Sequence, residues 1–182
     1  MQLTLTSCFL VCYHIDGIEH LRHFVGYQKA ADTMNEIGEI FRVYERLKGT
    51  RNVVSGSKSG HEIMLFVQEE NKDRIKDELA SILNQINAIM LRLPTAENFT
   101  AYCGYSSYPQ HAVTIEDMVK NTSFAVYEAT MFRKSEPNYF LPDAFRRQEA
   151  EYMKDNKLRL LLDKNELQYK FQPIVSAKTG KI

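Results

Sequence analysis

The stretch that most constrains the fold is Asn52 to Gln68, NVVSGSKSGHEIMLFVQ. Two β-rich runs flank a polar, glycine-containing tip, which is the pattern of a β-hairpin. In its second arm Ile63, Leu65 and Val67 alternate with Met64 and Phe66, an unbroken apolar run that predicts a strand buried on both faces. Such a strand needs covering helices, and the flanking sequence offers them.

Before the hairpin, Leu3 to Ile15 alternates as a strand and ends at Asp16-Gly17. Ile18, Leu21 and Val25 mark a short helix. A longer one follows from about Gln28, with Met34, Ile37, Phe41 and Tyr44 on its apolar stripe and Gly49 as its stop. After the hairpin, Asn71 or Asp73 caps a third helix carrying Ile75, Leu79, Ile82, Ile86 and Ile89, with Pro94 ending it. Phe99 to Ser107 is an alternating strand broken by Gly104 and closed by Pro109. Thr114 and Asp117 resemble a capping box with a shorter acid, opening a fourth helix faced by Ile115, Met118, Val119, Val126 and Ala129. Tyr139 to Leu141 reads as a short edge strand stopped by Pro142. This order predicts an α+β domain over residues 1–142, with one mainly antiparallel sheet flanked by helices.

From Asp143 the composition changes. Residues 143–166 are helical by propensity and mostly polar, with Phe145, Tyr152, Leu158, Leu161 and Leu162 as contacts, and they read as a linker helix. Residues 167–182, LQYKFQPIVSAKTGKI, form one alternating run and a Thr-Gly turn. A lone strand cannot satisfy its own backbone, so the expectation is the first strand of a second domain.

Three segments together resemble the GGDEF family, the diguanylate cyclase domains of palm-like, ferredoxin-like core. Ser59-Gly60-His61-Glu62-Ile63 at the hairpin tip is similar to a worn form of the signature. Phe99 to Ser106 resembles the family strand in which threonine and glycine recur, and Ala125-Val126-Tyr127-Glu128-Ala129 resembles its Ala-Leu-Tyr helix. Tyr169 to Val175, with Lys178 to Ile182, is similar to the opening of an EAL domain, the cyclic di-GMP phosphodiesterase module, where Gln172 matches a position near that module's active site. The family's usual opening helix before the first strand is absent from these residues.

The resemblance implies a reaction that needs hard divalent cations held by carboxylates. At the two metal positions this chain carries His14 and His61, and imidazole is a poor magnesium ligand. Asp16 and Glu62 remain, with Glu62 expected to point away from His61. The first signature glycine is Ser59. The guanine-reading positions fall on Arg22 and on Ala31, or on Asp32 if the spacing slips by one. The phosphate-binding positions of the last helix fall on Phe124 and Glu128. A feedback RxxD motif would fall at Thr50 to Val53, where Thr-Arg-Asn-Val does not match. The expected role is therefore a catalytically inactive regulatory or dimerisation module for an EAL domain in bacterial cyclic di-GMP signalling, with no cofactor. The alternative is an allosteric sensor of GTP or another small ligand. His14 and His61 facing one another suit either a zinc or copper site or two polar residues filling a vacated pocket, and no third ligand stands out.

Other classes fit less well. The 23 basic and 23 acidic residues of the 182 cancel, so no global field favours nucleic acid or anionic lipid. No apolar run approaches the roughly 18 residues of a membrane span. Gly56-Ser57-Lys58-Ser59 lacks the adjacent Gly-Lys and following helix of a Walker loop. Glu19, His20 and His23 read as a solvated helix face, and the tyrosines as strand and core residues without a basic stripe beside them. Cys8, Cys12 and Cys103 match no zinc spacing and read as buried free thiols. The expected compartment is the cytoplasm, with any membrane tether supplied by a longer chain.

Overall fold

The computed structural model describes residues 7–93 and 99–164. In chain order the elements are β1 (Cys8–Asp16), α1 (Ile18–Phe24), α2 (Tyr27–Lys48), β2 (Val53–Ser59), β3 (Glu62–Gln68), α3 (Lys72–Met90), β4 (Thr100–Tyr108), α4 (Ile115–Met131), β5 (Asn138–Tyr139) and α5 (Pro142–Asp163). The strands form one sheet in the order β2-β3-β1-β4-β5, antiparallel except for the β4–β5 pair. This is the α+β architecture that the element order predicts. The expected EAL-like strand and the last two residues of the expected linker helix lie outside the described residues.

The chain divides into two compact units, residues 1–142 and 143–182. In the first, β1 is the central strand and pairs along its length on both sides. Tyr13 is fully buried, its hydroxyl donates to the Leu79 carbonyl at 3.1 Å, and its ring meets Phe41 edge-on at 5.2 Å. One phenol thus ties β1 to both α2 and α3. Asn87 Oδ1 accepts from the Ala101 N–H at 2.9 Å and ties α3 to β4. On the other face Thr122 donates to the Leu10 carbonyl at 3.1 Å and lies 2.7 Å from Ser106 Oγ, which fastens α4 across β1 and β4. In the second unit, α5 is polar along most of its length, and Tyr152, Met153, Leu158, Leu160 and Leu162 are exposed on it.

The caps follow the sequence closely. Asn71 accepts from the N–H groups of Asp73 and Arg74, and Thr114 accepts from that of Asp117. The Asp117 carboxylate is too short for the reciprocal backbone bond and takes the Thr114 hydroxyl instead, at 2.8 Å. The cysteines are buried and free, and burial pushes the Cys12 thiol up to about 12. The expectation of a β3 covered on both faces needs correction. Ile63, Leu65 and Val67 are buried, but Met64 and Phe66 are only half-buried. The helix on their side, α4, packs on β1 and β4 and leaves β2 and β3 partly open there.

Gly104 sets the distance between α4 and the sheet. A Cβ at this position would lie 2.2 Å from Val126 N and 2.5 Å from the Ala125 carbonyl carbon, both backbone atoms that cannot swing aside. Gly104→Ala should therefore destabilise the domain by about 3 kcal/mol, at the upper end of overpacking costs. Gly56→Ala in β2, where a Cβ meets nothing within 4 Å, should stay within about 0.5 kcal/mol. Urea unfolding of the two variants checks this, and equal losses would contradict the contact.

Candidate functional site

The hairpin closes through a two-residue turn, Gly60-His61, and a bulge at Lys58 shifts the register just before it. The Ile15 N–H donates to the His61 carbonyl at 2.8 Å, which pins the tip to the end of β1. His14 pairs with Glu62 on one side and Tyr102 on the other. The structure thus brings together His14, His61 and Glu62. The two imidazole rings meet edge-on with centroids 5.2 Å apart, and His14 Nδ1 lies 3.7 Å from Glu62 Oε1. Glu62 was expected on the opposite side from His61, yet both reach His14. His61 sits in the turn, where the alternation of a strand does not apply.

Sequence reasoning missed Lys58, whose ammonium lies 2.9 Å from Glu62 Oε2. Its place in a bulge breaks the strand pattern that would have located it. Burial works against ionisation of Glu62, but the Lys58 hydrogen bond and charge, with His14 and His61 behind, hold its carboxyl below the ordinary value. The bond to Glu62 in turn raises Lys58. Burial and then the neighbouring His61 lower His14, against an upward pull from Glu62 and Asp16.

Beside the tip is a cleft of about 220 Å³ between α1, α2 and the hairpin. Arg22, Ala31, Ser59 and Gly60, all singled out from the sequence, line it together with Tyr27 and Asn35. Arg22 lies directly over the tip, and a Cβ on Gly60 would come within 3.0 Å of its Nη2. The guanidinium is held there by Glu19 at 2.5 Å and lies 5.8 Å from the Tyr27 ring centroid. That i,i+3 pair is visible in the sequence, but its position over the signature glycine is not. Asp32, the slipped alternative to Ala31, is exposed and accepts from the Gln28 amide at 2.9 Å.

Phe124 and Glu128 have contacts of their own. Glu128 is buried, accepts from the Asn138 amide at 2.8 Å and lies 3.3 Å from Lys134 Nζ. Phe124 stacks near Tyr127 and Phe140. Both serve to anchor β5 and its connection on α4.

A hard divalent cation seeks carboxylate, carbonyl and water oxygens. At the two positions where the family resemblance expects carboxylates, the site holds imidazoles in mutual contact, and Glu62 is committed to Lys58. These residues do not fit such an ion. Among the described residues, no group of three or more His, Cys, Asp and Glu side chains is arranged to hold a metal.

Two histidines couple the stability of the fold to pH. His14 lies at the tip, while His111 has a buried Nδ1 without a hydrogen-bond partner and packs 4.6 Å from the Tyr139 ring. Burial lowers His111 as well, followed by Lys72. A histidine lowered in the folded state is protonated more readily when unfolded, so stability holds above the ordinary 6.5 and is lost as the pH falls below it. Glu62 and Glu78, lowered from 4.5, contribute their loss further down the scale. The melting temperature should therefore fall between about pH 7.5 and about pH 5.5, and His14→Asn/His111→Asn should flatten that slope. An unchanged slope in the double variant would contradict the assignment.

Comparison with known proteins adds the following. No family model matches the chain. It is 25% identical over 115 residues to the cyclic di-GMP phosphodiesterase NbdA of Pseudomonas aeruginosa, a match covering 60% of this chain and 15% of the relative. The chain therefore spans only a small part of that protein's length. Among solved structures it is similar to the GGDEF domain of TpbB (YfiN) from Pseudomonas aeruginosa, with a TM-score of 0.62, 16% identity and coverage of 79% of this chain and 83% of that one. The GGDEF domain of DgcB from Caulobacter crescentus, solved in complex with c-di-GMP, gives a TM-score of 0.60 at 14% identity over 74% and 76% of the two chains. The active GGEEF domain of a diguanylate cyclase from Vibrio cholerae gives 0.59 at 14% identity over 75% and 84%. At such identities the likeness speaks of fold, and the fold of this chain is that of the GGDEF domains.

Proposed function

We propose that this chain is a GGDEF domain that has lost the cyclase reaction and acts in cyclic di-GMP signalling as a regulatory or dimerisation module for an EAL domain. The observation that carries the reading is the His14–His61 contact, because the resemblance matches these two imidazoles to positions at which the cyclase reaction needs carboxylates. Arg22 over Gly60 supports it, because the guanidinium occupies the approach that a nucleotide would need at the signature glycine. Glu128 supports it too, since a buried acid paired with Asn138 and Lys134 offers a phosphate no positive charge. The similarity to a cyclic di-GMP phosphodiesterase favours a phosphodiesterase partner, though it covers 15% of that protein.

A second reading has one feature in its favour. The cleft of about 220 Å³ remains beside the tip despite Ala31 and Arg22, so a small ligand, GTP among them, has room to act as an allosteric input.

Incubating the chain with GTP and Mg²⁺ should yield no cyclic di-GMP by chromatography, and titration calorimetry with GTP should yield no heat. Micromolar GTP binding without product would promote the sensor reading. Cyclic di-GMP formed above the level of a heat-denatured control would overturn both.

A further inference from the structure

Among the described residues, β2 ends the sheet and pairs only with β3. The Gln68 N–H donates to the Asn52 carbonyl at 2.7 Å, so alternate residues Val53, Ser55 and Ser57 turn their peptide groups away from β3. Two of these outward N–H groups already have acceptors. Val53 donates to the Gly49 carbonyl at 3.2 Å, and Ser55 donates to the Glu45 carboxylate, which reaches across from α2. A side-chain oxygen thus stands where the carbonyl of another strand would stand. Beneath it, between α2 and β2, lies a cleft of about 400 Å³. Gly38 on α2 and Ser55 and Ser57 on the facing side of β2 carry little side chain here, and the floor of the cleft includes Met34, Phe41 and Ile63.

Charge runs along this edge. Arg42 and Arg46 stand one turn apart on α2, Arg51 comes just before β2, and Lys58 sits in its bulge; all four are exposed. Arg42 pairs with Glu39 at 2.8 Å, an exposed pair worth little, and Lys58 with Glu62 at 2.9 Å.

We propose that the outer edge of β2, with the cleft under α2, receives an extended acidic peptide as a sixth strand. Main-chain bonds to Ser55 and Ser57 hold the peptide, with the Glu45 carboxylate displaced from the first. Every second side chain enters the cleft, and acidic side chains meet Arg42, Arg46, Arg51 and Lys58. Glu45 is then the resident competitor that keeps the empty edge from pairing indiscriminately. This proposal stands on the edge and the cleft, and is independent of the cyclic di-GMP reading.

The test uses the isotope-labelled 182-residue chain and two acetylated peptides of about seven residues, alternating Glu with Val or Lys with Val, matched to the length of β2. In amide-shift titrations at low salt, the acidic peptide should move the Ser55 and Ser57 resonances and the basic peptide should not. Glu45→Ala should tighten binding by about threefold, since the competing carboxylate is gone, and added salt should weaken it. Ser57→Pro, which removes an outward N–H without touching the ladder to β3, should abolish binding. Equal binding of both peptides, or shifts confined to other surfaces, would overturn the proposal. So would sedimentation of Glu45→Ala as a dimer joined through β2 without any peptide, because the occupant would then be a second copy of the chain.

Discussion

The arrangement of the tip depends on one hydrogen bond, from the Ile15 N–H to the His61 carbonyl. The hairpin alone would fix only the relation of β2 to β3. This bond extends the β1–β3 ladder beyond its last paired residues, His14 and Glu62, and locks the turn over the end of the central strand. Because β1 is itself pinned on both faces, by Tyr13 to α3 and by Thr122 of α4, the tip inherits the rigidity of the core. The backbone therefore fixes where the tip side chains meet. His14, His61 and Glu62 converge there, and imidazole nitrogens are ill suited to a hard cation.

Much of this was legible in the sequence because it rests on local rules. The hairpin, most of the helix stripes, the caps at Asn71 and Thr114 and the short strand before Pro142 follow from periodicity and turn chemistry, whereas Val25 and Ile115, expected on apolar faces, are exposed. Gly104 is legible as a break in an alternating strand, although only the structure shows that it admits the backbone of α4. What stayed hidden depends on tertiary placement. Strand alternation put Glu62 opposite His61, but a turn residue obeys no such alternation. An unbroken apolar run suggested a β3 covered on both faces, whereas α4 lies over β1 and β4. Lys58 was obscured by its bulge. Arg22 could be matched to a position, but its packing over Gly60 could not be foreseen.

The two clefts divide along the same line. The smaller one lies where the resemblance points, and Arg22 and Ala31 line it. The larger, along β2, was not foreseen as a cleft, because it opens where small residues, Gly38, Ser55 and Ser57, face one another. A surface built from small residues leaves little trace in a pattern of apolar periodicity. Its significance comes from the sheet edge beside it, where a carboxylate does the work of a neighbouring strand.

On the proposed reading, the tip holds the shape of the fold without affinity for hard cations. The most direct measurement is paramagnetic broadening of the His14 and His61 ring resonances by Mn²⁺, which takes the oxygen ligands that Mg²⁺ takes. With imidazoles at both positions and Glu62 held by Lys58, no selective broadening at the tip should occur at submillimolar Mn²⁺. Selective loss of those two resonances, reversed by excess Mg²⁺, would mean that the site still holds a hard cation and would contradict the account.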